Sequence, residues 1–156
     1  MGGYDPWLGA VLFVGWTPVS AQSTCLLIAS NSHAMSGQGG VVGPSGRVLI
    51  TVPVKDERQR LIPTLYALKE AFDAARFNYV LSVAEDGSTD GSKLLLPSLP
   101  ELFPGIVIQD RAECMGRGKA LRILWSAHEA DVYAFCDADL ASGAQSVVDA
   151  VRLAQG

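Results

Sequence analysis

The chain has 156 residues, 49% of them hydrophobic, which is enough for one globular domain with its own core. Its formal net charge of −4 and its scattered Lys and Arg residues give no electrostatic reason to expect nucleic acid as a partner. Three cysteines without C-x-x-C spacing predict neither a zinc site nor a disulfide framework, and this usage is typical of a reducing, cytoplasmic compartment.

Residues 1–44 show no fold pattern: they are rich in Gly, Ser, Pro and Thr and contain one acidic residue, Asp5. The apolar run at residues 8–16 is short for a membrane span. A signal-like cleavage site at residues 19–21 follows a segment without Lys or Arg, which argues against a secretory signal. We expect a flexible lead-in, or a translation start at Met35 with the preceding residues assigned in error.

The first predicted elements are a strand at residues 48–54 and an amphipathic helix after Glu57. The strand is β-branched and almost continuously apolar, as expected of a strand buried on both faces. Pro53 has no N–H for a ladder, so we expect strand pairing to stop near it. The helix is predicted from apolar residues at helical spacing, namely Leu61, Ile62, Leu65, Leu68, Phe72 and Ala75.

A second strand is predicted at residues 79–84 and ends in the acidic loop Glu85-Asp-Gly-Ser-Thr-Asp-Gly91, which is dense in turn and cap residues. Asp90 is expected to cap the short helical or irregular stretch that follows. A third, short strand is predicted at residues 106–108. It leads towards a helix that opens at Gly116 and carries apolar positions at Leu121, Leu124, Trp125 and His128.

Two glycines and two cations stand at the start of that helix, and two of these residues, Gly118 and Lys119, are candidate ligands. The free N–H groups and the dipole of a helix N-terminus suit an anionic phosphate. The alternative is an ordinary Gly-rich cap with a solvated lysine. His128 falls on the helical stripe and is expected to be packed rather than catalytic.

The apolar run at residues 132–136 predicts a buried fourth strand that ends in two aspartates, Asp137 and Asp139. Residues two apart on an extended chain point to one side, so the two carboxylates can face one point. A hard divalent cation, Mg²⁺ or Mn²⁺, would relieve their repulsion and take substrate phosphates as further ligands. The alternative is an acidic turn. A last helix is predicted from Ala144 to the chain end.

The alternation of strands and helices predicts an α/β fold with a Rossmann-like, doubly wound, mostly parallel sheet over residues 45–156. Ligands bind beyond the carboxyl ends of the strands in such sheets. Three polar loops, at residues 53–57, 85–90 and 137–139, directly follow predicted strands. We therefore expect them to converge on one edge, which favours a ligand site over acidic turns scattered on both edges.

Four motifs stand in order between residues 47 and 156: Val52-Pro-Val-Lys-Asp-Glu57, Glu85-Asp-Gly-Ser-Thr-Asp90, Gly116-Arg-Gly-Lys-Ala-Leu-Arg122 and Phe135-Cys-Asp-Ala-Asp-Leu140. Together they resemble the nucleotide-binding half of family 2 glycosyltransferases with the GT-A fold, most of all the dolichyl-phosphate (polyprenyl-phosphate) mannosyl- or glucosyltransferases. The resemblance implies transfer of a sugar from a nucleoside-diphosphate sugar, a GDP- or UDP-sugar, with Mg²⁺ or Mn²⁺ bridging the diphosphate. The acceptor it implies is a polyprenyl phosphate at a membrane surface.

The motifs and the resemblance together assign substrate binding to Pro53, Glu57, Glu85, Asp86, Gly118, Lys119 and Asp137. The resemblance implies that Asp86 meets the base and that Asp137 lies near the ribose and the metal. Asp139 would be the direct metal ligand. No residue is assigned as the catalytic base.

The sequence also departs from the family pattern. Glu85 stands where Asp is frequent, Arg117 occupies the middle of a motif that more often reads Gly-Lys-Gly, and Ala141 stands where many mannosyltransferases have a Gln. The chain stops one helix after the metal motif, whereas family members continue with an acceptor-binding half.

These departures lead us to expect the N-terminal donor half of a longer enzyme, with weak nucleotide binding and little turnover of its own. The alternative is a truncated, non-catalytic nucleotide-sugar-binding module. A sugar-nucleotide pyrophosphorylase is disfavoured, because that class is expected to have a Gly-rich basic loop after the first strand, where this chain has residues 53–56.

Overall fold

The secondary structure lies in residues 11–12, 27–30, 46–140 and 143–155, which are the residues that the computed structural model describes. The strands are β1 (Val11–Leu12), β2 (Leu27–Ser30), β3 (Val48–Val54), β4 (Tyr79–Glu85), β5 (Val107–Gln109) and β6 (Val132–Phe135). The helices are α1 (Leu61–Ala74), α2 (Leu99–Leu102), α3 (Arg117–Ala127) and α4 (Ala144–Ala154), and a 3₁₀ helix at Ser92–Ser98 leads into α2. Each strand and helix predicted after residue 44 is observed.

The strands form one sheet in the order β1-β2-β6-β3-β4-β5. Strands β6, β3, β4 and β5 run parallel, and the β3–β4 ladder pairs Val48 with Tyr79 through Val54 with Glu85. Strand β2 runs antiparallel to β6, and β1 runs antiparallel to β2. The predicted mostly parallel α/β sheet is therefore confirmed.

Strands β1 and β2 fall within residues 1–44, where the sequence shows no fold pattern. Strand β2 covers the edge of β6, from Leu27 opposite Phe135 to Ser30 opposite Val132. Met35 and Ala141 lie outside the described residues, so the predicted translation start and the effect of Ala141 stay predictions. The predicted division of the chain into residues 1–44 and 45–156 also stays a prediction.

Helices cover both faces of the parallel strands. Helices α1 and α4 pack on one face against alternate residues of β3, and α3 packs on the other face against Leu49. The polar residue of β3, Thr51, faces α3 and accepts a hydrogen bond from Trp125 Nε1 at 2.9 Å. Because alternate residues point to opposite faces and both faces are covered, the continuous apolar run of β3 is buried as predicted.

Pro53 ends the pairing of β3 on one side only. The β3–β6 ladder stops with Thr51 opposite Phe135, but the β3–β4 ladder continues to Val54, whose carbonyl accepts the Asp86 N–H at 2.9 Å. Alternate residues direct their backbone groups to opposite neighbours, so Pro53 faces the side where β6 has already ended. Its missing N–H therefore costs the sheet no hydrogen bond. Pairing of β3 with β4 stops at Val54, one residue beyond Pro53, so the prediction that pairing stops near Pro53 is confirmed.

Strand β6 ends at Phe135, before the two aspartates. The chain turns at residues 137–140, where the Leu140 N–H donates to the Asp137 carbonyl at 3.1 Å and Leu140 has a φ of 45°. Thr64 of α1 donates its hydroxyl to the carbonyl of Ala138, whose side chain is buried. The extended geometry predicted for residues 137–139 is therefore wrong: a turn anchored to α1 presents Asp137 and Asp139.

Candidate functional site

A cleft of about 290 Å³ opens at the carboxyl ends of β3, β4 and β6. It is lined by Pro53, Val54, Lys55, Glu57, Asp86, Arg117, Asp137, Ala138 and Asp139. Four of these residues are carboxylates and two are cations. The cleft brings together five of the predicted site residues, from three stretches of the chain that are distant in sequence.

Asp86 lies at the end of β4 and is almost fully buried. Its Oδ1 accepts the Met115 N–H at 2.7 Å, and its Oδ2 accepts the Gly116 N–H at 2.9 Å and lies 3.4 Å from the Cys114 thiol. Burial alone would raise the pKa of Asp86, but these hydrogen bonds and the nearby Lys55 charge outweigh it and hold the pKa below its usual value. Asp86 is therefore a charged anchor for the segment that opens α3.

Glu85 is fully buried and does not line the cleft. Its Oε2 accepts the Gly87 N–H at 3.0 Å and its Oε1 accepts the Ser88 N–H at 2.6 Å. The Lys93 ammonium lies 3.3 Å from Oε2 and also pairs with Asp110 at 3.1 Å. Glu85 therefore shapes the loop after β4, and its predicted role in substrate binding has no direct contact with the cleft to support it.

The loop after β3 and the loop after β4 are joined by reciprocal hydrogen bonds. Asp56 Oδ1 accepts the N–H groups of Thr89 at 2.7 Å and Asp90 at 3.2 Å. In return, the Asp56 N–H donates to Ser88 Oγ at 2.9 Å, and the Arg58 N–H donates to Asp90 Oδ2 at 3.0 Å. The two loops that flank the cleft therefore form one braced unit.

Asp90 also supports the 3₁₀ helix, although not from the predicted position. The N-cap position belongs to Gly91, which has a φ of 91°, while Asp90 Oδ1 accepts the Ser92 N–H at 2.8 Å. The hydrogen bond from the Ser92 hydroxyl, which outweighs desolvation, lowers the pKa of Asp90. The predicted local capping role is present, but it comes from the residue before the N-cap.

Arg117 is the first residue of α3 and enters the cleft beside the aspartate turn. Its Nη1 lies 2.8 Å from Asp137 Oδ1, and its guanidinium carbon lies 5.6 Å from the centre of the Phe135 ring. Lys55 also lines the cleft, and its ammonium donates to the Gly87 carbonyl. Both cations lie within the sequence motifs, but neither is among the predicted site residues, because a motif position does not reveal where a side chain points.

The two predicted phosphate ligands at the start of α3 do not line the cleft. Gly118 and Lys119 are exposed on the first turn of α3, and neither lines the cleft.

His128 lies one residue beyond the end of α3, where its carbonyl accepts the Tyr133 hydroxyl at 2.8 Å. Cys136 is fully buried, and burial together with the charges of Asp137 and Asp139 raises the pKa of its thiol to about 12. It is therefore a neutral packing residue.

The residues of the cleft fit a divalent cation only in part. Asp137 and Asp139 offer the hard carboxylate oxygens that Mg²⁺ and Mn²⁺ take. The described residues contain no group of three or more His, Cys, Asp or Glu side chains that could hold a metal ion. A cation here would need further oxygen ligands from a bound molecule.

Among the residues that the structure describes, no helix is long and apolar enough to cross a membrane.

Comparison with known proteins identifies the family and the fold. The profile of glycosyl transferase family 2 matches residues 49–155. Among solved structures, the chain is similar to the mannosyltransferase PcManGT from Pyrobaculum calidifontis in complex with GDP-Man and Mn²⁺, with a TM-score of 0.55 and 22% sequence identity. The match covers 63% of this chain and 29% of that protein, and it shows an α/β, GT-A-like fold. No match was found among curated proteins.

Proposed function

This chain belongs to glycosyltransferase family 2, and from that membership we propose that its cleft binds a nucleoside-diphosphate sugar and takes part in transferring the sugar to an acceptor. The observation that carries the proposal is the meeting of Asp137, Asp139 and Asp86 with Lys55 and Arg117 in one cleft. A diphosphate needs cations, directly or through a metal ion, and this cleft offers two cationic side chains and two candidate metal ligands.

A divalent cation, Mg²⁺ or Mn²⁺, is part of this proposal. Held by Asp137 and Asp139, it would neutralise the charge that develops on the departing nucleoside diphosphate. The oxygen ligands that the chain lacks would come from the diphosphate itself. The complex of PcManGT with GDP-Man and Mn²⁺ supports this composition of the site.

The residues of the chain bind and orient the donor. The braced loops after β3 and β4 form a fixed wall, along which Pro53 and Glu57 would contact the nucleotide. Asp86 keeps its charge and has acceptor capacity left for the base, since a carboxylate has about four lone-pair sites and three contacts are resolved here. Lys55 and Arg117 would meet phosphate oxygens. GDP- and UDP-sugars are the candidate donors.

The acceptor enters the proposal through the sequence resemblance. Enzymes of the dolichyl-phosphate type transfer the sugar to a polyprenyl phosphate, so we propose a lipid phosphate at a membrane surface as the acceptor. The donor cleft is independent of this choice, and an assay with short-chain polyprenyl phosphates tests it separately.

The second candidate is binding of a nucleotide sugar without transfer. It is favoured by the carboxylates of the cleft, all of which have partners on this chain: Glu57 pairs with Arg60 at 3.4 Å, Asp86 accepts backbone N–H groups, Asp137 pairs with Arg117, and Asp139 also has a partner. Because Glu57, Asp86 and Asp137 are already engaged, none of these three is the unengaged carboxylate expected of a catalytic base.

Thermal melts of the whole chain with GDP, UDP and their sugar conjugates, each with and without Mn²⁺, test donor binding. A ligand at about 100 times its Kd stabilises the native state by about 2.7 kcal/mol, which corresponds to about 5–10 °C for a chain of this size. We expect a metal-dependent shift with one nucleotide. Asp139→Ala should abolish it, and Glu129→Ala, which removes an exposed carboxylate outside the cleft, should retain it.

The outcomes separate the candidates. A cooperative melt with no shift for any nucleotide would contradict donor binding. A shift without sugar transfer to a polyprenyl phosphate or to water would select the binding module, and a shift accompanied by transfer would select the enzyme.

A further inference from the structure

We propose that Arg117 is an exchangeable partner of Asp137, which it holds until a divalent cation and the donor diphosphate bind, and which it then leaves to pair with the diphosphate. The inference rests on the proposed function. It assigns to Arg117 a part in donor binding and gives the cleft two arrangements, one before and one after the donor arrives.

The contact between the two side chains is close but open to solvent. Arg117 Nη1 and Asp137 Oδ1 are 2.8 Å apart, while 51% of the Arg117 side chain and 26% of the Asp137 side chain are exposed. Ion pairs with this exposure are weak, because water and salt screen them. A divalent cation, with twice the charge of a guanidinium, can therefore displace Arg117 from the oxygen they would share.

The surroundings of Arg117 fix its backbone but leave its side chain room to move. The two N–H groups just before it, on Met115 and Gly116, are both held by the carboxylate of Asp86. About half of the Arg117 side chain is exposed to solvent, which leaves the guanidinium room to move. The guanidinium also rests near the Phe135 ring, a weak contact that it can leave.

The charges of the cleft make the exchange favourable for both partners. The lining holds four carboxylates and two cations, so a diphosphate entering it would meet an excess of negative charge. A metal ion that shared an Asp137 oxygen with the Arg117 guanidinium would be repelled by its positive charge. When Asp137 passes to the metal ion and Arg117 passes to the phosphate oxygens, each charge faces its opposite, and a guanidinium can bind a phosphate with two parallel hydrogen bonds.

Arg117→Met in the whole chain separates exchange from structural support. We expect this variant to bind Mn²⁺ alone about two- to fivefold more tightly than the wild type, because the competing cation is gone. With Mn²⁺ present, it should bind GDP or UDP about tenfold more weakly, because a charge-assisted contact to the diphosphate is lost. Electron paramagnetic resonance titration of free Mn²⁺ measures the first quantity, and calorimetry measures the second.

Arg152→Met is the matched control. Arg152 also pairs with an aspartate, Asp149, at 3.4 Å, and it also lies over an aromatic ring, that of Phe77, at 5.9 Å. It stands on α4 and does not line the cleft. Its loss removes the same charge and the same kinds of contact, so we expect both affinities to stay within twofold of the wild type.

Opposite changes in the two affinities are the result that supports the exchange. If Arg117→Met weakens Mn²⁺ binding, or leaves it unchanged, Arg117 does not compete with the cation and the inference fails. The inference also fails if the wild type binds no Mn²⁺. If the wild type binds Mn²⁺ but no nucleotide, the proposed function fails, and the Mn²⁺ affinity of the variant still tests whether Arg117 holds Asp137.

A second variant guards against a folding defect. Arg117→Lys keeps the charge without the planar fork, so we expect Mn²⁺ affinity close to that of the wild type and a smaller loss of diphosphate affinity than in Arg117→Met. The loss should be smaller for nucleoside monophosphates in both variants, because the proposed contact is with the diphosphate. Equal losses for monophosphate and diphosphate would contradict that contact.

Discussion

Gly87 packs closely against the backbone of the segment that precedes α3. Its φ is +74°, and a Cβ added there would lie 2.7 Å from the backbone N of Cys114 and 3.0 Å from the carbonyl carbon of Glu113. Both atoms belong to the backbone, so a side chain could be accommodated only if the segment before α3 moved. That segment carries the N–H groups that hold Asp86, and the glycine therefore matters to the cleft as well as to the loop.

Gly87→Ala is expected to destabilise the chain by about 2–4 kcal/mol, since it combines a left-handed backbone with an overlap. Gly105→Ala is the matched control: Gly105 has a φ of +83° and no heavy atom within 4 Å of its added Cβ, so only the backbone penalty of about 1–2 kcal/mol applies. Urea unfolding of both variants measures the difference. Equal losses would show that the loops can move apart without cost.

The loops after β3 and β4 are linked by hydrogen bonds to the Asp56 carboxylate. The residues of these loops are not part of the β-sheet ladder. The Asp56 carboxylate connects the two loops instead, because it accepts the N–H groups of Thr89 and Asp90. Asp56 also has a φ of 56°, a left-handed conformation that Asp tolerates better than most residues. The position therefore needs both the backbone preference and the oxygen atoms of this residue.

Replacement of Asp56 tests the brace. Asp56→Gly removes the carboxylate while it keeps the left-handed backbone, so we expect a loss of about 1–2 kcal/mol from the missing hydrogen bonds. Asp56→Asn keeps one acceptor oxygen and should lose less. Urea unfolding gives the free energy, and faster hydrogen exchange at the amides of Thr89 and Asp90 would locate the effect. Unchanged exchange at these two amides would contradict the proposed brace.

The end of β6 shows where prediction of elements from sequence stops. The apolar run predicted the strand, and the two aspartates after it predicted a site, because burial and charge are encoded locally. The turn at residues 137–140 depends on the hydroxyl of Thr64, which is far away in sequence. A contact of that kind leaves no periodic pattern, so the sequence predicts an extended chain where the structure has a turn.

The fold of the whole molecule is predictable from the alternation of strands and helices along the chain. This alternation predicts the parallel sheet, the helices on both of its faces and the edge at which the polar loops meet, because all three follow from the rules for connecting parallel strands. Strands β1 and β2 could not be predicted, because short strands in a Gly- and Ser-rich stretch have no alternating pattern. The partners of Arg117 and Glu85 could not be predicted either, because they depend on how side chains meet after the sheet has formed.

The stability of the whole molecule should depend on pH in two separate ranges. Hydrogen bonds to Lys69 and Tyr79 lower the pKa of Asp73, and the pKa values of Asp86 and Asp90 are lowered as well. Because these pKa values are lower in the folded chain, the unfolded chain binds more protons in acid. The stabilisation is complete above the ordinary value near 3.8 and declines as the pH falls through it. Burial raises the pKa of Tyr79, so stability should also fall above pH 10.

Asp86→Asn isolates one source of the acid dependence. An amide can accept the Met115 N–H, but its NH₂ group would face the Gly116 N–H, so we expect a loss of about 1–3 kcal/mol at pH 7. As the pH falls below the ordinary value near 3.8, the carboxyl of Asp86 takes up a proton more readily in the unfolded chain, so the wild type loses this advantage and the difference between the two proteins should shrink. Urea unfolding between pH 3 and 7 measures it. A difference that stays constant over this range would mean that Asp86 stabilises the fold by its shape, and that its charge contributes nothing.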